Sequence, residues 1–69
     1  MKISARNQLA GTVKRVAPGA VNSEVAIEIG NGIEIVAIIT SDSVERLGLA
    51  PGKRAHAIVK ASDVLVGTD

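Results

Sequence analysis

Four chemically capable side chains stand together near the start of the chain: Ser4, Arg6, Asn7 and Gln8, in the run Ser4-Ala5-Arg6-Asn7-Gln8-Leu9. They supply a hydroxyl, a permanent cation and two amides just ahead of the first strand-like segment. A guanidinium offers a fork of donors and no acceptor. The group is rich in donors, which suits a small, fully ionised oxyanion better than a neutral metabolite or a metal cation.

Two further segments have the same character. Thr40 and Ser43 flank the expected start of a short helix, where free backbone N–H groups and the helix dipole favour negative charge. Lys60 ends a strand and is followed by the small residue Ala61, whose backbone N–H is unencumbered. Each residue also has a commoner use. Ser4 and Arg6 fit a solvated tail, Thr40 or Ser43 fits a helix cap, and Lys60 fits a strand end. His56, beside Arg54 in a strand, has no partner at fixed spacing and reads as a solvated side chain. Gly30-Asn31-Gly32 lacks the helix and lysine of a phosphate loop and reads as a hairpin turn. No nucleophile–base pair is visible, so no enzyme activity is expected.

Composition restricts the partners. A chain of 69 residues is expected to form one domain, spanning residues 1–69. It buries only about 60% of its unfolded surface. There is no Cys and a single His, which excludes disulfides and makes a structural metal site improbable. A small core without such a staple usually needs oligomerisation. The net charge of +1 and the lack of Phe, Tyr and Trp argue against nucleic acid, which small barrels bind with cationic fields and stacking aromatics. No signal region is evident and no apolar run approaches about 18 residues, which predicts a cytoplasmic protein that does not engage a membrane.

The elements that must position these residues follow from period and punctuation. Residues 9–17 read as a strand whose parity switches around Lys14-Arg15, the mark of a bulge. Ala17-Pro18-Gly19-Ala20 is a turn, with glycine free to take positive φ. In residues 21–29, Val21, Ser23, Val25, Ile27 and Ile29 alternate with Asn22, Glu24 and Glu28. Residues 33–40 are apolar on both faces, so Val36 and Ile38 are candidates for a subunit interface; the alternative is ordinary exposure near a barrel seam. Asp42 and Glu45 have capping-box spacing for a short helix that buries Val44 and Leu47 and stops at Gly48. After Pro51-Gly52, residues 53–60 alternate again, and Val64-Leu65-Val66 forms a last strand. The expected architecture is all-β: a five-stranded OB-like Greek-key barrel with one short helix between strands 3 and 4.

The run Ser4-Ala5-Arg6-Asn7-Gln8-Leu9, the stretch Ile39-Thr40-Ser41-Asp42-Ser43-Val44 with Leu47-Gly48-Leu49, and Val59-Lys60-Ala61-Ser62 resemble the molbindins. These are stand-alone Mop domains, related to the TOBE domains of molybdate-responsive regulators and molybdate transporter ATPases. The resemblance extends over essentially the whole chain. It implies a homo-oligomer, a hexamer built as a trimer of dimers, that binds molybdate or tungstate between subunits for storage or homeostasis and uses no cofactor. By the same resemblance, Ser4, Arg6, Thr40, Ser43, Lys60 and the Ala61 N–H would hold the oxyanion at a dimer-interface site. A second site near the threefold axis would use Gly19, Ala20 and Val21, where Pro18 removes one potential donor.

Such a site should present donors only, because molybdate at neutral pH is a dianion with no proton to give. Phosphate keeps a proton there and gains nothing at that oxygen. Charge-assisted bonds from Arg6 and Lys60 would be about twice as strong as neutral ones. Two other functions fit the same fold: a molybdate-sensing module acting on a partner protein, and a small nucleic-acid-binding barrel.

Overall fold

Alternating side chains and well-placed turn residues produce four strands. The structure, a computed structural model, describes all residues 1–69. Strand β1 is Asn7–Ala17, β2 is Asn22–Gly30, β3 is Ile33–Thr40 and β4 is Arg54–Val59. All neighbours are antiparallel, in the order β3-β2-β1-β4. Helix α1, Ser41–Leu47, links β3 to β4, and a 3₁₀ turn, Ala61–Asp63, follows β4.

The period-2 pattern places one apolar face inward. Val13, Val25, Ile27 and Ala57 form the buried core, with Leu9, Val16, Ile35, Ile39, Val44 and Leu49 packed around it. The β1–β2 register slips between Val13 and Arg15, at the expected bulge. That slip lets Val13 and Val16 both meet the core although they lie three residues apart. Gly11 is required by proximity, since a Cβ there would lie 2.3 Å from the Glu28 carbonyl oxygen. On the outer face the small Ala26 is fully covered, at 0% exposure, and it pairs with Arg15 on one side and Val36 on the other.

Several local expectations need correction. The helix cap is Thr40, whose Oγ1 accepts the Ser43 N–H at 3.1 Å, and not Asp42. Asp42 lies in the first turn, where its charge complements the dipole. Val44 packs against the core while Leu47 is exposed. Gly48 ends the helix with φ 66°, as its position suggests. Gly19 does not use positive φ; a Cβ there would strike the Asn22 carbonyl oxygen at 2.3 Å, so close approach is what demands glycine. The hairpin tip does use positive φ, at Asn31 and Gly32.

The fifth strand is absent. Val64 is extended, with φ −81° and ψ 125°, but residues 64–66 pair with no strand. A short aliphatic run such as Val64-Leu65-Val66 favours an extended backbone; a strand also needs a partner edge. Strands β3 and β4 do not pair either, so the sheet is curled and open rather than a closed five-stranded barrel.

Candidate functional site

Ser4, Arg6, Lys60 and Ala61 come together. They line an open hollow of about 640 Å³ formed by residues 3–6 on one side and by Ile58 with residues 60–62 on the other. The pairing of β1 with β4 explains the meeting. Asn7 stands opposite Val59, so the chain entering β1 and the chain leaving β4 emerge side by side at one end of the sheet. Residues 52 positions apart in sequence thereby bring their flanking segments to one place.

The chemistry of the hollow is that of donors. It contains no Asp or Glu. The ion pairs of the chain all belong to Arg15, with Glu34 at 2.8 Å and Glu24 at 3.9 Å; Arg6 and Lys60 make none. The 3₁₀ turn satisfies its own amides from Asp63 onward, with Asp63 N–H bonded to the Lys60 carbonyl and Val64 N–H to that of Ala61. The N–H groups of Ala61 and Ser62 are therefore not used by the turn. Residues carrying a guanidinium, an ammonium, two hydroxyls and these amides thus line one cleft together with the apolar Ile3, Ala5 and Ile58.

The apolar part of that lining, and the presence of Ser62, were not foreseen from sequence. Ser62 sits beside Lys60 and Ala61 in the run Val59-Lys60-Ala61-Ser62, so adjacency was the available signal. Ile3 and Ile58 carried none: an isolated aliphatic residue looks the same in a cleft as on a surface.

Thr40 and Ser43 do not line the hollow. They form a pair at the start of α1. The Thr40 hydroxyl donates to Ser43 Oγ at 2.7 Å and accepts the Ser43 N–H. A hydroxyl has one proton, so the Ser43 O–H is the free donor of the pair.

Gly19, Ala20 and Val21 are exposed and tied to the same helix start through Ser41. The Ser41 N–H donates to the Val21 carbonyl at 2.8 Å, and its Oγ donates to the Gly19 carbonyl at 2.7 Å. Ser41 Oγ is also 2.7 Å from Ser23 Oγ. Since the Ser41 proton is engaged by Gly19, Ser23 must donate in that bond. His56 is exposed and borders a second, smaller hollow of about 290 Å³ with Met1, Leu47 and Arg54.

Val36 and Ile38 are 50% and 64% exposed on the outer face of β3. No helix is long and apolar enough to cross a membrane.

Comparison with known proteins places the chain in a family. Residues 3–66 match the TOBE domain family. The chain is 48% identical over 66 residues to molybdenum-pterin-binding protein 2 of Clostridium pasteurianum, covering 96% of this chain and 97% of that protein. A molybdate-binding protein from Sporomusa ovata has the same fold with a TM-score of 0.91 at 44% identity, over 99% of this chain and 100% of that one. The cytoplasmic molybdate-binding protein ModG, in a form with molybdate bound, matches with a TM-score of 0.94 at 46% identity; the match covers 100% of this chain and 49% of that chain. These likenesses make the curled sheet with its short helix an OB-like fold. The relatives are named as binding proteins, not as enzymes. The chain belongs to the TOBE-domain family, among the molybdenum-pterin-binding proteins of the Mop type.

Proposed function

We propose that this protein binds molybdate, and equally tungstate, in the hollow between the N-terminal segment and the end of β4, and that it serves intracellular storage of the oxyanion without catalysis. The observation that carries the reading is the pair of cations, Arg6 and Lys60, facing one acid-free cleft with no ion-pair partner. A dianion placed between them gains charge-assisted hydrogen bonds, about twice as strong as neutral ones. The Ser4 hydroxyl and the Ala61 N–H add neutral donors. Tetrahedral dianions without a proton fill such a set, whereas a protonated phosphate oxygen meets no carboxylate acceptor there and has less charge to set against Arg6 and Lys60. The names of the relatives support the choice of anion.

The binding unit on this reading is a homo-oligomer, a hexamer arranged as a trimer of dimers, with the single domain of residues 1–69 as its repeating part. The hollow is open on one side. Thr40 and Ser43 lie outside it, so a second copy would bring the free Ser43 hydroxyl to the anion and close the site. Exposed Val36 and Ile38, and a tail in which Leu65 is 94% exposed, give the chain apolar surface that association would cover. Gly19, Ala20 and Val21 would offer main-chain groups at a separate threefold site. A shared anion stabilises the assembly by linkage. No nucleic acid or membrane partner is invoked, and the protein acts in the cytoplasm, as the cytoplasmic relative ModG does.

Calorimetric titration with molybdate, tungstate, sulfate and phosphate, alongside particle mass, tests the reading. Micromolar or tighter uptake of the first two by a hexamer-sized particle, abolished in Arg6→Ala, is the expected result. A monomer indifferent to millimolar molybdate, or an Arg6→Ala variant with unchanged affinity, overturns it.

A further inference from the structure

The two amide side chains that follow Arg6 line no part of the hollow, yet each is hydrogen-bonded to a segment that carries one of its walls. The wall formed by residues 3–6 belongs to no strand or helix. Gln8 Nε2 donates to the Ala5 carbonyl at 2.9 Å and reaches the Ile3 carbonyl at 3.5 Å. The opposite wall follows β4. Asn7 Nδ2 donates to the carbonyl of Val59, the last residue of that strand, at 3.2 Å. Gln8 thus makes the only side-chain hydrogen bonds to residues 3–6, and Asn7 holds the residue directly before Lys60.

We propose that Gln8 and Asn7 are the positioning residues of the hollow: Gln8 fastens the arm that carries Ser4 and Arg6, and Asn7 fastens the strand end that carries Lys60 and Ala61. The inference rests on the oxyanion reading above and deepens it. A backbone segment outside any ladder loses conformational freedom when it is ordered. An arm held in place beforehand avoids drawing that cost from the binding free energy. Glutamine suits the task because its Nε2 carries two protons, one for each of two carbonyls on the same arm. A glutamate in its place would only accept, and would repel the anion. Gln8 is exposed, so its role can be removed without opening the core.

Gln8→Met keeps the length of the side chain and deletes its donors. The expected result is molybdate affinity about fivefold weaker, the size of one lost hydrogen bond, with the secondary structure retained and faster hydrogen exchange at the amides of residues 3–6. A double-mutant cycle separates positioning from a general effect. In a Ser4→Ala background the Gln8→Met loss shrinks, because the arm then has one donor fewer to position. Asn7→Ala is read by faster exchange at the Asp63 and Val64 amides, which the 3₁₀ turn protects, together with weaker binding. If wild-type protein binds molybdate and Gln8→Met binds it equally well, or the two Gln8 losses are equal in both backgrounds, the Gln8 assignment is overturned. Unchanged turn exchange in Asn7→Ala overturns the other half. Wild-type protein that takes up no molybdate overturns the oxyanion reading, and the positioning roles with it.

Discussion

Arg15 reaches over β2 to Glu34 on β3, placing Nη1 2.8 Å from Oε1. The bulge that follows Val13 sets Arg15 opposite Ala26, which has no side chain long enough to obstruct the guanidinium. One cation thus joins three strands on the outer face, with Glu24 of β2 at 3.9 Å as a second, weaker partner.

The Arg15 bridge is an exposed pair, with side chains 54% and 35% accessible. Its contribution to stability should be small, about 0.2–1 kcal/mol. Urea unfolding of Glu34→Gln and Arg15→Met, singly and together, measures it. A coupling energy well above that range would show that the pair behaves as a desolvated one.

Gly11→Ala should be among the most damaging substitutions in the chain. Its new Cβ would meet the Glu28 carbonyl oxygen at 2.3 Å and the Ile27 side chain at 2.8 Å. Backbone cannot step aside as a side chain can, so a loss of about 3 kcal/mol is expected. Gly67→Ala, with nothing within 4 Å, is the matched control. Thermal unfolding of the two variants checks the contrast.

Ser41→Ala removes two hydrogen bonds at once. It strips the Gly19 carbonyl of its hydroxyl partner and leaves Ser23, which is 3% exposed, with a buried unpaired O–H. The expected destabilisation is about 1–3 kcal/mol, because an orphaned buried donor costs more than the bond was worth. Adding Ser23→Ala should recover part of that loss, since the orphan then disappears. Unfolding curves of the single and double variants read the recovery directly.

Ile38→Asp tests association. Ile38 is 64% exposed on the outer face of β3, so the charge costs a single copy little. In an assembly that covers this face the carboxylate is desolvated and unpaired. Sedimentation velocity should show smaller particles, with the circular dichroism spectrum retained. Particles of unchanged size would place the interface elsewhere.

The strands, the bulge at Lys14-Arg15, the Gly30-Asn31-Gly32 hairpin and the Gly48 stop were all legible in the sequence, because each depends on neighbours in the chain. So was the grouping of Ser4 with Arg6, which are two residues apart. The cap stayed open between Thr40, Ser43 and Asp42, because all three suit that role by residue type and only the backbone decides which one leaves the helix. The closing strand at residues 64–66 was misread for a related reason: extended propensity does not specify what the strand pairs with.

Local chemistry alone therefore determined that this protein is an all-β chain with a donor-rich N-terminal run, few acids near it and no aromatic platform. Folding decided the rest. The antiparallel register that sets Asn7 opposite Val59 brings Arg6 and Lys60 to one hollow, and it keeps Thr40 and Ser43 out of it. No periodicity encodes such a meeting. Register is a property of two segments distant in sequence, and it is settled by which pairing buries Val13, Val25, Ile27 and Ala57 together.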